Sequence, residues 1–223
     1  MKWISNSINE SKKLKDHYTL HSIDIVVKDA LPDNIDVDFV IKYITTRIPQ
    51  FLITGLDIIY IGQFDNLTEK GVNALYEDGA VYITNIQDDE MDMIDDIVHE
   101  LAHAVENNHF DVIYGDGTLE AEFLRKRNKL HDILKLSNLN PPPQLLVNVS
   151  FDQVIDDYLY KEVGYTALWN YVAGIFPSPY AATSIREYFA RGFEEFFIGN
   201  KKSLTYSNKV LYSKLQDLVN LEE

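Results

Sequence analysis

The chain has 223 residues, of which 46% are hydrophobic and 25% charged, with a formal net charge of −15, a pI of about 4.7 and no cysteine. The composition excludes disulfides and thiolate metal sites, and the acidity repels phosphate backbones, so nucleic acid is an unsuitable partner. No apolar run approaches the roughly 18 residues of a membrane span. The opening MKWISNSINESKK lacks a signal peptide's apolar stretch, so the expected location is intracellular, with no membrane partner.

Residues 1–19 are polar and read as a peripheral segment. "HSIDIVV" (21–27) alternates, is rich in β-branched residues, and reads as a strand. "DVDFVIKYITTRIPQFL" (36–52) has a helical period that Pro49 disturbs at its end. "LDIIYIGQF" (56–64) and "AVYITN" (80–85) read as two further strands, the last entered through the turn signal Glu77-Asp78-Gly79. A helix is expected from about Asp89 to Glu106, giving the order β-α-β-β-α.

Beyond Asn107 the pattern becomes helical. "GTLEAEFLRKRNKLHDILKLS" (117–137) reads as a helix, and the prolines of "NLNPPPQLLVNVS" (138–150) enforce a loop. Residues 151–176 are mostly helical with a break near Gly164, 176–183 form a turn, and helices follow at 184–198 and about 203–220. The expected fold class is α+β, one domain with an α/β lobe over 20–110 and a helical lobe over 111–223.

"IDDIVHELAHAVENNH" (94–109) contains His99, Glu100 and His103 as H-E-x-x-H. At 100° per residue, Ile94, Ile97, Val98, Leu101 and Val105 form one apolar stripe, and both histidines fall opposite it. Stacked imidazoles four residues apart suit two zinc ligands, with Glu100 to the side as a general base. Asp96 and Glu106 share the histidine face, where either can accept an imidazole N–H and fix its tautomer.

Catalytic zinc takes a third protein ligand. His109 continues the spacing into the long metzincin pattern, yet Glu106 occupies the glycine position and no methionine follows the motif. Glu120 or Glu122 stands at the distance used by thermolysin-like and ImmA-like gluzincins, although Ala121 replaces the asparagine expected before the glutamate, and a first-turn glutamate also favours the helix dipole. Glu187, in "SPYAATSIREYFARGFEEFF", falls opposite a stripe of Ile185, Phe189, Phe193 and Phe196. Ser184-x-x-Glu187 is equally a capping box, and Glu187 and Arg191 an i,i+4 pair. Spacing alone leaves all three candidates open.

"IVHELAHAVE", together with Tyr180, Glu187, Tyr188, Phe189, Ala190 and Phe193 in the order Y-x6-E-Y-F-A-x-x-F, resembles the anthrax lethal factor-like metallopeptidases, which include the bacterial Pro-Pro endopeptidases. "ALYEDGAVYITN" is similar to that family's edge strand ahead of the zinc helix. The resemblance spans roughly residues 75–198 and implies a zincin-like fold. It further implies one Zn²⁺ held by His99, His103 and Glu187, Glu100 as base and Tyr180 as oxyanion donor. The substrate it implies is a proline-rich or basic peptide extended along "AVYITN", cut by endopeptidase chemistry. Arg191 departs from the acidic residue usual four places after the ligand, leaving Glu194 as the substitute carboxylate. Two other readings accompany this one. The first is an ImmA-like intracellular regulatory protease that uses Glu120 or Glu122. The second is a zinc-bearing interaction protein that no longer cuts, towards which Arg191 points. With no leader in view, the resemblance suits an intracellular or virus-encoded relative.

Overall fold

The computed structural model describes residues 16–222. Residues 1–15, the bulk of the segment expected to be peripheral, lie outside the described residues. The chain divides into two compact units, Met1–Val105 and Glu106–Glu223.

The first unit is built on a five-stranded mixed sheet of β1 (Asp16–Leu20), β2 (Ile23–Val27), β3 (Ile58–Gly62), β4 (Ala74–Glu77) and β5 (Ala80–Thr84). The strand order is β1-β2-β3-β5-β4. β2, β3 and β5 pair in parallel, and an antiparallel strand closes each edge. Asp78 (φ 50°) and Gly79 (φ 81°) make the two-residue β4–β5 turn with both central residues left-handed, the geometry that favours Asp-Gly in hairpins. The sheet differs from the sequence pattern at two places. Residues 16–19 are strand rather than periphery. "AVYITN" is flanked by β3 and β4, so the edge is Ala74–Glu77.

α1 (Val37–Thr45) starts where the Asp36 carboxylate accepts the Phe39 N–H at 3.1 Å, and it stops short of Pro49. α2 (Asp65–Lys70) ends on Gly71 at φ 66°, a left-handed C-cap. α3 (Glu90–Asn108) carries the H-E-x-x-H motif. Its stripe residues Ile94, Ile97, Val98, Leu101 and Val105 are all buried, each contributing roughly 1.5–3 kcal/mol of apolar burial.

The second unit is helical among the described residues: α4 (Phe110–Tyr114), α5 (Thr118–Leu136), α6 (Gln153–Asp157), a π-helical turn (Tyr158–Val163), α7 (Tyr165–Val172), α8 (Ile185–Phe197), α9 (Lys201–Ser207) and α10 (Lys209–Val219). The helix expected at about 203–220 is two helices that meet at Asn208. Gly164, at φ 77°, makes the expected break before α7. Phe123, Phe176 and Tyr188 pack with ring centroids 5.6–5.8 Å apart, tying α5 to α8. A Cβ at Gly192 would meet Leu211 at 2.3 Å, so α10 approaches α8 closely there. Arg127 is fully buried, and its guanidinium donates to the carbonyls of Ala182 (2.9 Å), Asn148 (2.5 Å) and Thr183. That side chain anchors the turn preceding α8. Among the described residues no helix is long and apolar enough to cross a membrane.

Candidate metal centre

On α3 the apolar stripe turns one side into the core, and the four-residue spacing then sets His99 and His103 together on another. Their rings lie edge to face, with centroids 4.9 Å apart. His103 is buried and His99 half-buried. Glu187 lies in the first turn of α8, where the Ser184 hydroxyl caps its backbone N–H at 3.2 Å. The ligand atoms offered by His99, His103 and Glu187 all fall within 4.8 Å of one another. Two imidazoles and one carboxylate also form a donor set that zinc accepts. No other such group occurs among the described residues.

The remaining candidates stand elsewhere. Glu122 is buried and accepts from Tyr188 Oη (2.7 Å) and from the backbone N–H groups of Val210 (3.0 Å) and Leu211 (3.2 Å). It thereby caps the start of α10. Glu120 is exposed in the first turn of α5. His109 precedes α4, with its Nε2 buried and lacking a hydrogen-bond partner.

Glu100 is buried, and its Oε2 accepts the Tyr76 backbone N–H at 2.6 Å. Thr84 donates to the Asn73 carbonyl, which puts residues 73, 75 and 77 in the hydrogen-bonded pairs with β5. Tyr76 therefore turns its N–H away from β5, towards the open edge, and the carboxylate meets it there. Sequence reading had no means of finding this contact, because a backbone donor leaves no residue signature.

Tyr180 begins the short 3-10 turn Tyr180–Ala182 that leads to α8. Burial pushes its phenol well up, and the nearby Glu187 charge adds to the shift, so the group stays protonated as a donor. Tyr165, the first residue of α7, is likewise pushed up to about 12, chiefly by burial and then by the Asp156 and Glu187 charges. Nothing in its spacing had singled it out. Arg191, expected to pair with Glu187, bonds Glu194 Oε2 through Nη1 at 2.6 Å and sits 5.7 Å from the Tyr180 ring centroid. Glu194, the substitute carboxylate, is thus engaged by the residue that made a substitute necessary.

Of the two carboxylates on the histidine face, Asp96 is pushed up to about 6, mainly by burial, and accepts from Gln87 Nε2 at 3.1 Å. Glu106 is buried and accepts from Tyr114 Oη at 2.6 Å and Arg186 Nε at 2.9 Å. A cavity of about 410 Å³ opens beside this trio, walled by Phe110, Val149 and Ile185, with Glu120 also in its lining. Comparison of the chain with protein-family models, with curated proteins and with solved structures found no match.

Proposed function

We propose that the chain is a zinc-dependent endopeptidase of the lethal factor-like kind, with His99, His103 and Glu187 as its metal ligands. The observation that carries this reading is the meeting of those three donors from two helices 84 positions apart at their nearest ligands, His103 and Glu187. Bound zinc would supply Lewis acidity towards a water and a scissile carbonyl. Glu100 would take the proton of the attacking water and return it to the leaving amine. Its hydrogen bond to Tyr76 restricts the carboxylate's rotation. Tyr180, kept protonated by burial, would donate to the oxyanion. The substrate would extend along β4, where Ala74 turns its N–H and carbonyl outward and Tyr76 its carbonyl, the Tyr76 N–H being held by Glu100.

The ImmA-like alternative gains no support from Glu122, whose carboxylate is committed to Tyr188 and the start of α10. Zinc per chain, measured in wild type and in Glu187→Ala purified side by side, tests the ligand set. About one zinc in wild type and a large loss in the variant are expected from a three-residue site; equal zinc in both would remove Glu187. Glu100→Gln should keep zinc and lose hydrolysis of a mixed peptide library. Absence of hydrolysis in wild type as well would leave a zinc protein that does not cut.

A further inference from the structure

Glu106 and Arg186 each adjoin the candidate ligands without being one of them. Glu106 follows His103 by three positions on α3, and Arg186 immediately precedes Glu187 on α8. Arg186 Nε donates to Glu106 Oε2 at 2.9 Å, while Tyr114 Oη donates to Glu106 Oε1 at 2.6 Å. Both carboxylate oxygens are held, so the side chain cannot turn. With the Ser184 cap at 3.2 Å, the first turn of α8 is fixed at two points within four residues.

We propose that the Glu106–Arg186 pair is a positioning clamp for the metal site, fixing the rotation of α8 and keeping the Arg186 charge off the Glu187 carboxylate. The inference rests on the zinc reading above. Two features support it. First, a buried carboxylate is a costly way to hold two helices, since apolar side chains of similar volume do so at least as well. What an ion pair adds is direction: its hydrogen bonds fix azimuth, and on a helix a rotation of about 100° per residue decides where the next side chain points. Second, Arg186 bonds Glu106 Oε2 at 2.9 Å and directly precedes Glu187 in the first turn of α8, so its guanidinium has a carboxylate partner beside the candidate ligand. Without Glu106, that guanidinium would be drawn to Glu187 and would compete with a cation for the same oxygens.

The second feature predicts an asymmetry that simple packing would not produce. Removing Glu106 alone should be worse than removing both partners. The test is Zn²⁺ affinity, by chelator competition, for wild type, Glu106→Gln, Arg186→Met and the double variant. Each metal-free protein is melted in parallel, and Co²⁺ absorption reports the coordination. Glu106→Gln should bind zinc about 10–100-fold more weakly than wild type, the usual range for residues that orient ligands. The double variant should recover several-fold of that loss, because the competing charge is gone, yet stay weaker than wild type with an altered cobalt band, because the clamp is gone too. Unchanged affinity in Glu106→Gln would overturn the clamp, as would a loss that the double variant fails to relieve. Were Glu106→Gln not to fold, Arg186→Met still decides the matter, since its side chain is 58% exposed and its removal tolerable. A weaker Arg186→Met supports the clamp and an unaltered one overturns it. A wild-type protein that takes up no zinc would overturn the metal site itself, a result separable from either of these.

Discussion

The Tyr76 backbone N–H points out of the sheet's open edge and donates to Glu100 Oε2 at 2.6 Å. An outward amide on an edge strand would ordinarily meet solvent and exchange its hydrogen quickly. In wild type the Tyr76 amide should therefore exchange slowly for its position, and Glu100→Ala should speed it by roughly tenfold or more. The Leu75 amide, which faces β5, should not change. Hydrogen exchange resolved by residue would show this, and equal Tyr76 rates in the two proteins would discount the contact.

Glu122 gives a prediction opposite in kind to Glu187. Its carboxylate accepts three hydrogen bonds, two of them from the first turn of α10. Glu122→Ala would leave two helix N–H groups without their acceptor and the Tyr188 hydroxyl with Asn208 Oδ1 (3.0 Å) alone, at about 2–4 kcal/mol. Zinc content should be unaffected. Urea unfolding with zinc analysis on the same sample separates the two effects; a stable Glu122→Ala protein that had lost its metal would reverse the assignment.

Lys126 should make stability climb with pH in the alkaline range. It is buried, and Nζ donates to the carbonyls of Ile175 and Ser207. Burial is the main cause that pushes its pKa down to about 8, while the neighbouring Glu122 opposes the shift. Unfolded, the group titrates near 10.4. Between these values the unfolded chain binds the extra proton, so unfolding free energy rises with pH from about 8 towards 10, by about 3 kcal/mol at most. Below pH 8 both states are protonated and this contribution is flat. Unfolding curves of wild type and Lys126→Met at several pH values should diverge across that window. Parallel curves would argue that the carbonyls keep the ammonium charged.

The H-E-x-x-H helix is legible because two periods coincide in it: the apolar stripe and the histidine pair both repeat at helical spacing, and the stripe is buried as expected. The edge strands were not legible. β1 (DHYTL) and β4 (ALYE) are short, and β4 has no fully buried residue to give an alternating pattern. The alternation in "AVYITN" correctly marks one buried face, with Val81 and Ile83 inside. A side-chain period, however, carries no information on how many neighbours share the backbone, so the pattern reads the same at an edge as in the interior, where the segment lies. Glu122 looked like an ordinary first-turn charge because its partners lie 66 to 89 positions away. Spacing pairs Arg191 with Glu187 at i,i+4, yet its Nη1 bonds Glu194, three residues further on. On a helix surface both distances are close, and sequence does not choose between them.

His99, Glu100, His103 and Glu106 all stand on the uninterrupted helix Glu90–Asn108. Their relations are therefore relations of phase, and phase responds differently to the two ways a gene can change. A substitution at an intervening position such as Ala102 or Ala104 alters packing and leaves every angle in place. One codon gained or lost between His103 and Glu106 would turn all that follows by about 100° and carry Glu106 away from Arg186. Descendants of this chain should thus vary in length across loops such as residues 138–150 while holding the count from 99 to 106 constant.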